Sequence, residues 1–146
     1  MKSLPKFKTL IERQAATQAT LHQFRGKVFS WKAGVTCVHL ARFHLQQLGH
    51  RPPALPGLGS TLAAKRALAK RGWDSCAAML DAQATLERIP PAMMLMGDLA
   101  VLPSEDGLDA IVVCAGPMKV FGWREDAEAL VVLDVDFSEM TGAWRV

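Results

Sequence analysis

The sequence predicts an α+β domain, with helices in the first half of the chain and short strands in the second. Apolar residues recur at helical spacing from Cys37 to Leu48 and predict one amphipathic helix. After residue 98 the pattern changes to short apolar or β-branched runs, which are separated by glycine, proline and acidic residues. Because short connections join antiparallel neighbours, we expect the helices to pack on a roughly five-stranded antiparallel sheet.

The remaining elements follow from local stop and start signals. Ser60 is suited to begin a helix, and so is either Asp74 or Ser75; Gly49 and Gly72 are suited to end helices. The predicted helices cover 6–23 (one helix or two short ones), 37–48, 60–71 and about 75–82. The predicted strands cover 98–102, 110–115, 118–122, 129–133 and 143–146.

Composition indicates one globular domain over residues 1–146. Half of the residues are hydrophobic, 21% are charged, and the formal net charge is +3. The local basic cluster at 65–71 is typical of a solvated helix face, and no aromatic-rich basic surface accompanies it. We therefore expect no nucleic-acid partner.

The chain carries no signal for a membrane or an oxidising compartment. No apolar run approaches the roughly 20 residues that span a bilayer, and the basic N-terminus is not followed by an apolar segment. Cys37, Cys76 and Cys114 are odd in number and widely spaced. We expect reduced thiols, with Cys76 and Cys114 as small core residues, and a protein made in the cytoplasm without membrane insertion.

Cys37 is the candidate nucleophile of the sequence. A glycine-containing turn leads to this cysteine at the first turn of the predicted helix, where free backbone N–H groups favour a thiolate. The four histidines, however, are all found at or before residue 50. His39 points to another side of the helix, and His44 lies about 10 Å further along the helix axis. An inert, partly buried thiol is therefore the favoured interpretation.

Other candidate site residues are aromatic. Trp31, Trp123 and Trp144 are candidates for groove or partner contacts, and core packing is the alternative for each of them. We expect His44 to bond a backbone group in the core, His39 to face solvent, and Asp98 to serve a turn. No set of histidine, cysteine and acidic residues has metal-ligand spacing, so we expect no metal and no cofactor.

The order of these parts resembles a known family. The resemblance rests on five segments: Phe29-Ser-Trp31, Gly34-Val-Thr-Cys37, Gly97-Asp-Leu-Ala-Val101, Ile111-Val-Val-Cys-Ala-Gly116 and Ala143-Trp-Arg-Val146. Together they resemble the NlpC family of papain-like cell-wall endopeptidases, and more closely its branch from tailed phages and prophages. The resemblance covers nearly the whole chain and implies an NlpC-type papain-like fold.

The resemblance also assigns roles to positions. Cys37 matches the nucleophile of the family, but Thr36 stands where the family usually has aspartate. The position of the family's catalytic histidine falls on Asp109 or Ala110, neither of which can act as an imidazole base. The resemblance therefore implies a vestigial nucleophile and a chain that is not an enzyme.

From the resemblance we expect a structural or adaptor component of a phage tail tip or baseplate. Its partners would be other tail proteins, such as hub, distal tail or fibre components, with peptidoglycan as a further ligand. It would be made in the host bacterial cytoplasm and occur in several copies in the virion tail. The alternatives are an active cysteine endopeptidase or amidase that cleaves peptidoglycan stem peptides with Cys37 as nucleophile, and a bacterial binding module unrelated to phage.

Overall fold

The structure is a computed structural model that describes residues 8–124 and 128–146. Four α-helices precede a six-stranded sheet. The helices are α1 (Leu10–Phe24), α2 (Cys37–Gln47), α3 (Thr61–Lys70) and α4 (Cys76–Asp81). The strands are β1 (Glu87–Ile89), β2 (Leu99–Leu102), β3 (Ala110–Gly116), β4 (Lys119–Gly122), β5 (Val131–Asp134) and β6 (Gly142–Arg145). Short 3₁₀ turns occupy Pro91–Met93 and Phe137–Glu139.

Each of the four helices begins at a hydroxyl cap in the described part of the chain. The hydroxyls of Thr9, Thr36, Ser60 and Ser75 each accept a hydrogen bond from a backbone N–H of the first turn. Such caps satisfy N–H groups that have no partner within the helix. The first residue of α2 is therefore fixed at Cys37 by its neighbour Thr36.

The sheet is antiparallel throughout, in the order β1-β6-β2-β3-β4-β5. Alternate residues of its strands point to opposite faces, as the pleat requires. The side chains of Leu99, Val101, Ile111 and Phe121 join the core beneath the helices. The opposite face carries a smaller cluster of Ala100, Val112, Val120, Val135, Met140 and Ala143. The predicted α+β architecture is confirmed.

The sheet has one strand more than the five predicted. The sequence predicts a chain break near residues 89–91, but residues Glu87–Ile89 form β1 and pair with Ala143–Arg145 of β6. The first helix is a single helix that begins at Leu10, later than predicted, and positions 6 and 7 lie outside the described residues. The strand predicted over 129–133 is β5, which begins at Val131.

A buried ionic cluster connects α1 to the sheet. The Asp98 carboxylate, fully buried, forms ion pairs with Arg13 and with Arg145, the latter at 2.9 Å from Nε to Oδ2. The backbone N–H groups of Leu95 and Val146 donate to the same carboxylate at 2.8 and 3.2 Å. Asp98 has the predicted turn role, because its N–H donates to the Leu95 carbonyl at 3.0 Å and its carboxylate accepts from the Leu95 N–H. The ion pairs, which were not predicted, make the same side chain the polar centre of the core.

Arg13 is the opposite half of this cluster. Besides Asp98, its guanidinium donates to the backbone oxygens of Met96 and Val146 at 2.8 and 2.6 Å. Gly97 has a φ of +91°, and a Cβ there would lie 3.1 Å from the Thr17 hydroxyl of α1. The Gly97 position therefore permits α1 to approach the start of β2 closely.

His44 forms a second buried polar link, between α1, α2 and Gly97. Its Nε2 donates to the Gly97 carbonyl at 2.7 Å, and its Nδ1 lies 2.7 Å from the Thr20 hydroxyl. Burial lowers the pKa of His44 to about 4, so the ring is neutral at pH 7. The predicted backbone bond of a core histidine is confirmed.

No helix in the described ranges is long and apolar enough to cross a bilayer.

The Asp98 cluster predicts a large loss of stability in Asp98→Asn. The variant leaves two guanidinium groups without their buried counter-charge, which costs about 3–5 kcal/mol in comparable buried pairs. Urea unfolding measures the free energy. Asp134→Asn is the matched control, because its partner Lys119 and Asp134 are both exposed and such pairs contribute little. Equal losses in the two variants would contradict the role assigned to Asp98.

The buried neutral His44 predicts that stability falls as the pH decreases. Between the ordinary pKa of 6.5 and the folded value of about 4, the unfolded chain binds a proton that the folded chain does not. The free energy of unfolding then decreases by up to about 1.4 kcal/mol per pH unit from this group. Urea unfolding across this range measures the slope. His44→Gln should flatten it, whereas His22→Gln, an exposed control, should preserve it.

Candidate functional site

Cys37 lies at the N-terminus of α2, where the preceding loop fixes its position. Val28 forms a β-bridge with Ala129, and Ser30 forms one with Val35, so the loop folds back tightly before the helix. Gly34 provides the positive φ of +70° that this turn requires. Cys37 itself is 8% exposed. The sulfur therefore sits at the base of a groove rather than on the surface.

The N-terminal end of β3 lies opposite this sulfur. The Cys37 thiol is directed at the backbone oxygen of Asp109, at 3.9 Å, a long and weak contact. Asp109 has a φ of +72°, an unusual conformation for a residue other than glycine. Burial raises the pKa of its carboxyl group. The structure thus brings Cys37 together with Asp109, one of the two positions at which the resemblance places the family's histidine.

A second thiol accompanies Cys37. Cys76, the first residue of α4, also borders the groove, and its backbone N–H donates to the Leu108 carbonyl at 2.7 Å. A hydrogen bond from the Cys76 thiol lowers the pKa of Cys37, and the same contact together with burial raises the pKa of Cys76. Cys76 is fully buried in the core, as expected from the sequence. Its proximity to Cys37 was not predicted, because residues 37 and 76 carry no local signal that they lie close together.

The groove above Cys37 has a volume of about 490 Å³. Aromatic side chains form one wall: the ring of Phe29 contacts the rings of Trp31 and Trp123 edge-on, at 5.6 and 5.7 Å between centroids. The indole N–H of Trp31 donates to the Thr61 hydroxyl at 3.1 Å, and that of Trp123 donates to the Lys27 carbonyl at 2.9 Å. Both indoles are therefore held rigidly beside the groove.

Charged side chains contribute to the rest of the groove lining, together with small polar and apolar residues. Asp106, Asp109 and Glu128 contribute carboxylates, and Arg124 contributes a guanidinium. The Asp106 carboxylate accepts hydrogen bonds from the Ser104 hydroxyl and the Leu108 N–H at 2.5 and 2.9 Å, which fixes the loop before β3. The groove consequently combines an aromatic wall with a largely acidic one.

The four histidines, all within the described ranges, have other positions, and none of them lines the groove. His44 is buried against Gly97, and His50 lies 2.7 Å from the Thr85 hydroxyl. His39, for which we expected a solvent-facing position, is half-buried and lies 2.7 Å from the Thr36 hydroxyl.

Trp144 lies elsewhere than the predicted groove or partner contact. It is 1% exposed, and its indole N–H donates to Asp81 at 2.9 Å. The Arg88 guanidinium lies 4.8 Å from its ring centroid. Trp144 is a core residue, which was the alternative interpretation, so it is not a residue of the groove. Trp31 and Trp123 do line it.

The described residues 8–124 and 128–146 contain no group of three or more histidine, cysteine or acidic side chains arranged to hold a metal ion. Cys37 and Cys76 offer two sulfurs, fewer ligands than structural zinc requires.

The family model described as a domain of unknown function, DUF6950, matches residues 9–146, and the chain belongs to that family. No curated protein sequence matches the chain.

Solved structures with the same architecture are NlpC/P60 domains. The chain is similar to the P60 domain of an antigen from M. avium paratuberculosis, with 17% identity, a TM-score of 0.57, and coverage of 93% of this chain and 96% of that one. It is similar to the peptidoglycan hydrolase RipB of Mycobacterium tuberculosis, with 16% identity, a TM-score of 0.59, and coverage of 94% and 65%.

RipD of Mycobacterium tuberculosis is a further neighbour, described as a non-catalytic NlpC/p60 domain protein adapted to peptidoglycan binding. The identity is 14%, the TM-score is 0.57, and the match covers 96% of this chain and 98% of RipD. At such identities the likeness concerns the fold alone. The NlpC-type fold expected from the sequence is confirmed.

The thiol pair predicts a pH profile for Cys37 alkylation. Because Cys76 donates to the Cys37 sulfur, the midpoint of iodoacetamide modification at Cys37 should lie below that of an ordinary cysteine. Cys76→Ala removes the donor and should move the midpoint upward. Mass spectrometry of the Cys37 peptide measures the rate at each pH. Cys114→Ala is the control, and a Cys76→Ala profile equal to it would contradict the predicted hydrogen bond.

Proposed function

We propose that this chain is a non-catalytic NlpC/P60-type domain whose groove binds a peptide segment of a partner. The observation that carries the proposal is the pairing of Cys37 with the backbone oxygen of Asp109. In an active cysteine peptidase a base must accept the thiol proton and later return it to the leaving amine. The groove supplies a carbonyl oxygen at that point.

The Asp109 carboxyl group is not a substitute for the missing base. Partial burial raises the pKa of this carboxyl group. Aspartate nevertheless lacks an imidazole ring, which can accept a proton near neutral pH and return it. The neighbouring side chain that lowers the pKa of Cys37 is in addition another thiol, Cys76, rather than an imidazole. We therefore infer that Cys37 is a vestigial nucleophile.

The shape of the groove supports peptide binding. Its volume of about 490 Å³ is in the range of ordinary ligand sites. Trp31 and Trp123 are fixed through their indole N–H groups, so they present apolar surface without a large loss of side-chain entropy. RipD offers a precedent for this fold in a binding role without catalysis.

For the biological setting we propose a tail tip or baseplate of a tailed phage. The support is the sequence resemblance over the segments around Cys37, Gly97 and Ile111. The domain would act there as an adaptor in several copies, and its groove would hold a segment of a hub, distal tail or fibre protein. Peptidoglycan is a second ligand of the same proposal. The chain would be made in the host bacterial cytoplasm and end in the virion tail.

An active cysteine endopeptidase or amidase acting on peptidoglycan stem peptides is the second candidate. One observation favours it: the pKa of Cys37 is lowered by its contact with Cys76, as a nucleophile requires. RipB, which shares the fold, is a peptidoglycan hydrolase.

Muropeptide digestion distinguishes the two functions. We expect purified wild type and Cys37→Ala to yield the same products as a protein-free control, because none of the described residues places an imidazole in the groove beside Cys37. Binding of the intact muropeptides, measured by calorimetry on both proteins, provides the readout for a role without catalysis. Cleavage by wild type that Cys37→Ala abolishes would replace the proposal with the hydrolase.

The proposed setting has its own readout. Antibody labelling of purified particles should place the chain at the tail tip, and its absence from the particles would contradict the tail assignment while leaving the groove assignment intact.

A further inference from the structure

A second cavity lies along α2 and shares no lining residue with the Cys37 groove. Val38, Ala41, Arg42 and Leu45 of α2 line it, which is the i, i+3, i+4, i+7 face of that helix. Leu55 and Leu58, from the proline-rich loop before α3, lie on its other side. The cavity has a volume of about 150 Å³.

Arg42, which lines this cavity, has a buried hydrogen-bonding group without a partner among the described residues. This group is the guanidinium Nε. A buried donor on a charged group loses its hydration, and folded proteins normally supply an acceptor for such a group. The arrangement therefore calls for an acceptor that the described chain does not provide.

The charges around the cavity favour an anion. Arg42 is the sole lining residue in the described ranges that carries a full charge at neutral pH, and no carboxylate lines the cavity. His39, which also lines it, is neutral because burial and the charge of Arg42 lower its pKa. An anionic oxygen placed beside the guanidinium would meet no competing negative group.

The walls limit the rest of the ligand. Apart from Arg42, His39 and Gln83, the lining side chains are apolar, including Trp73 and Met79. A cavity of roughly 150 Å³ has room for a molecule the size of benzene. The body that fits is consequently short and apolar.

We propose that this cavity binds a carboxylate carried on a short apolar body, with the Arg42 guanidinium holding the carboxylate. The same chemistry occurs in a small free acid and in the C-terminal residue of a peptide that ends in an apolar side chain. Nothing in this proposal depends on the Cys37 groove, so its test is independent of the test of the proposed function.

The test uses benzoate as probe and benzamide as its neutral counterpart, with binding to the full chain followed by calorimetry and by NMR shifts. Benzoate should bind more tightly than benzamide by roughly tenfold to hundredfold, the value of a hydrogen bond to a charged group. Arg42→Gln should reduce benzoate binding to the level of benzamide. Lys65→Gln removes one positive charge from an exposed site on α3 and should leave benzoate binding unchanged.

Further measurements separate loss of binding from loss of folding and distinguish the two sources of the ligand. Urea unfolding of Arg42→Gln confirms that the variant folds, and Leu58→Trp, which fills the cavity from the loop, should abolish benzoate binding with Arg42 intact. Peptides ending in leucine, with a free or an amidated C-terminus, distinguish the two ligand sources. Tighter binding of the free-carboxylate peptide than of benzoate assigns the cavity to a peptide terminus, and the reverse order assigns it to a small acid.

The proposal is overturned if neither benzoate nor the free-carboxylate peptide binds. It is equally overturned if folded Arg42→Gln binds benzoate as tightly as wild type does.

Discussion

The ion pairs of the buried Asp98 carboxylate hold the first helix against the sheet. The carboxylate pairs with Arg13 from α1 and Arg145 from β6, so one side chain joins the first helix, the start of β2 and the last strand. A charge in the core is tolerated only when its partners surround it, as they do here. This requirement specifies how α1 lies on the sheet, which apolar packing alone would fix less sharply.

The helix α2 packs beside α1 and contributes to two different candidate binding sites. At its N-terminus Cys37 meets Asp109 and Cys76 at the base of an aromatic and acidic groove. Along another face Arg42 borders a small apolar cavity. His44, bonded to the Gly97 carbonyl, holds the helix against the strand that carries Asp98. One helix therefore contributes a buried polar contact to the core and lining residues to both candidate binding sites.

Elements with strong local signals were predictable from the sequence. Ser60, and Ser75 as one of two candidates, mark helix starts that the structure reproduces, because a cap is an interaction within one turn. The strands from β2 to β4 follow from β-branched runs. Strand β1 was missed because its three residues lie just before a proline and are mostly exposed, and its pairing partner β6 lies far along the chain.

For the site, two features could be read from the amino-acid order alone: Cys37 begins a helix, and no histidine follows residue 50. Both are properties of local order and composition. Other features became visible only in the folded chain: Cys76 lies beside Cys37, and Asp98 is the centre of an ion cluster. Trp144 is a core residue, whereas Trp31 and Trp123 line the groove. These contacts join residues that are distant in sequence. They are stabilised by tertiary packing, so the residues next to each of them do not indicate which partner it will meet.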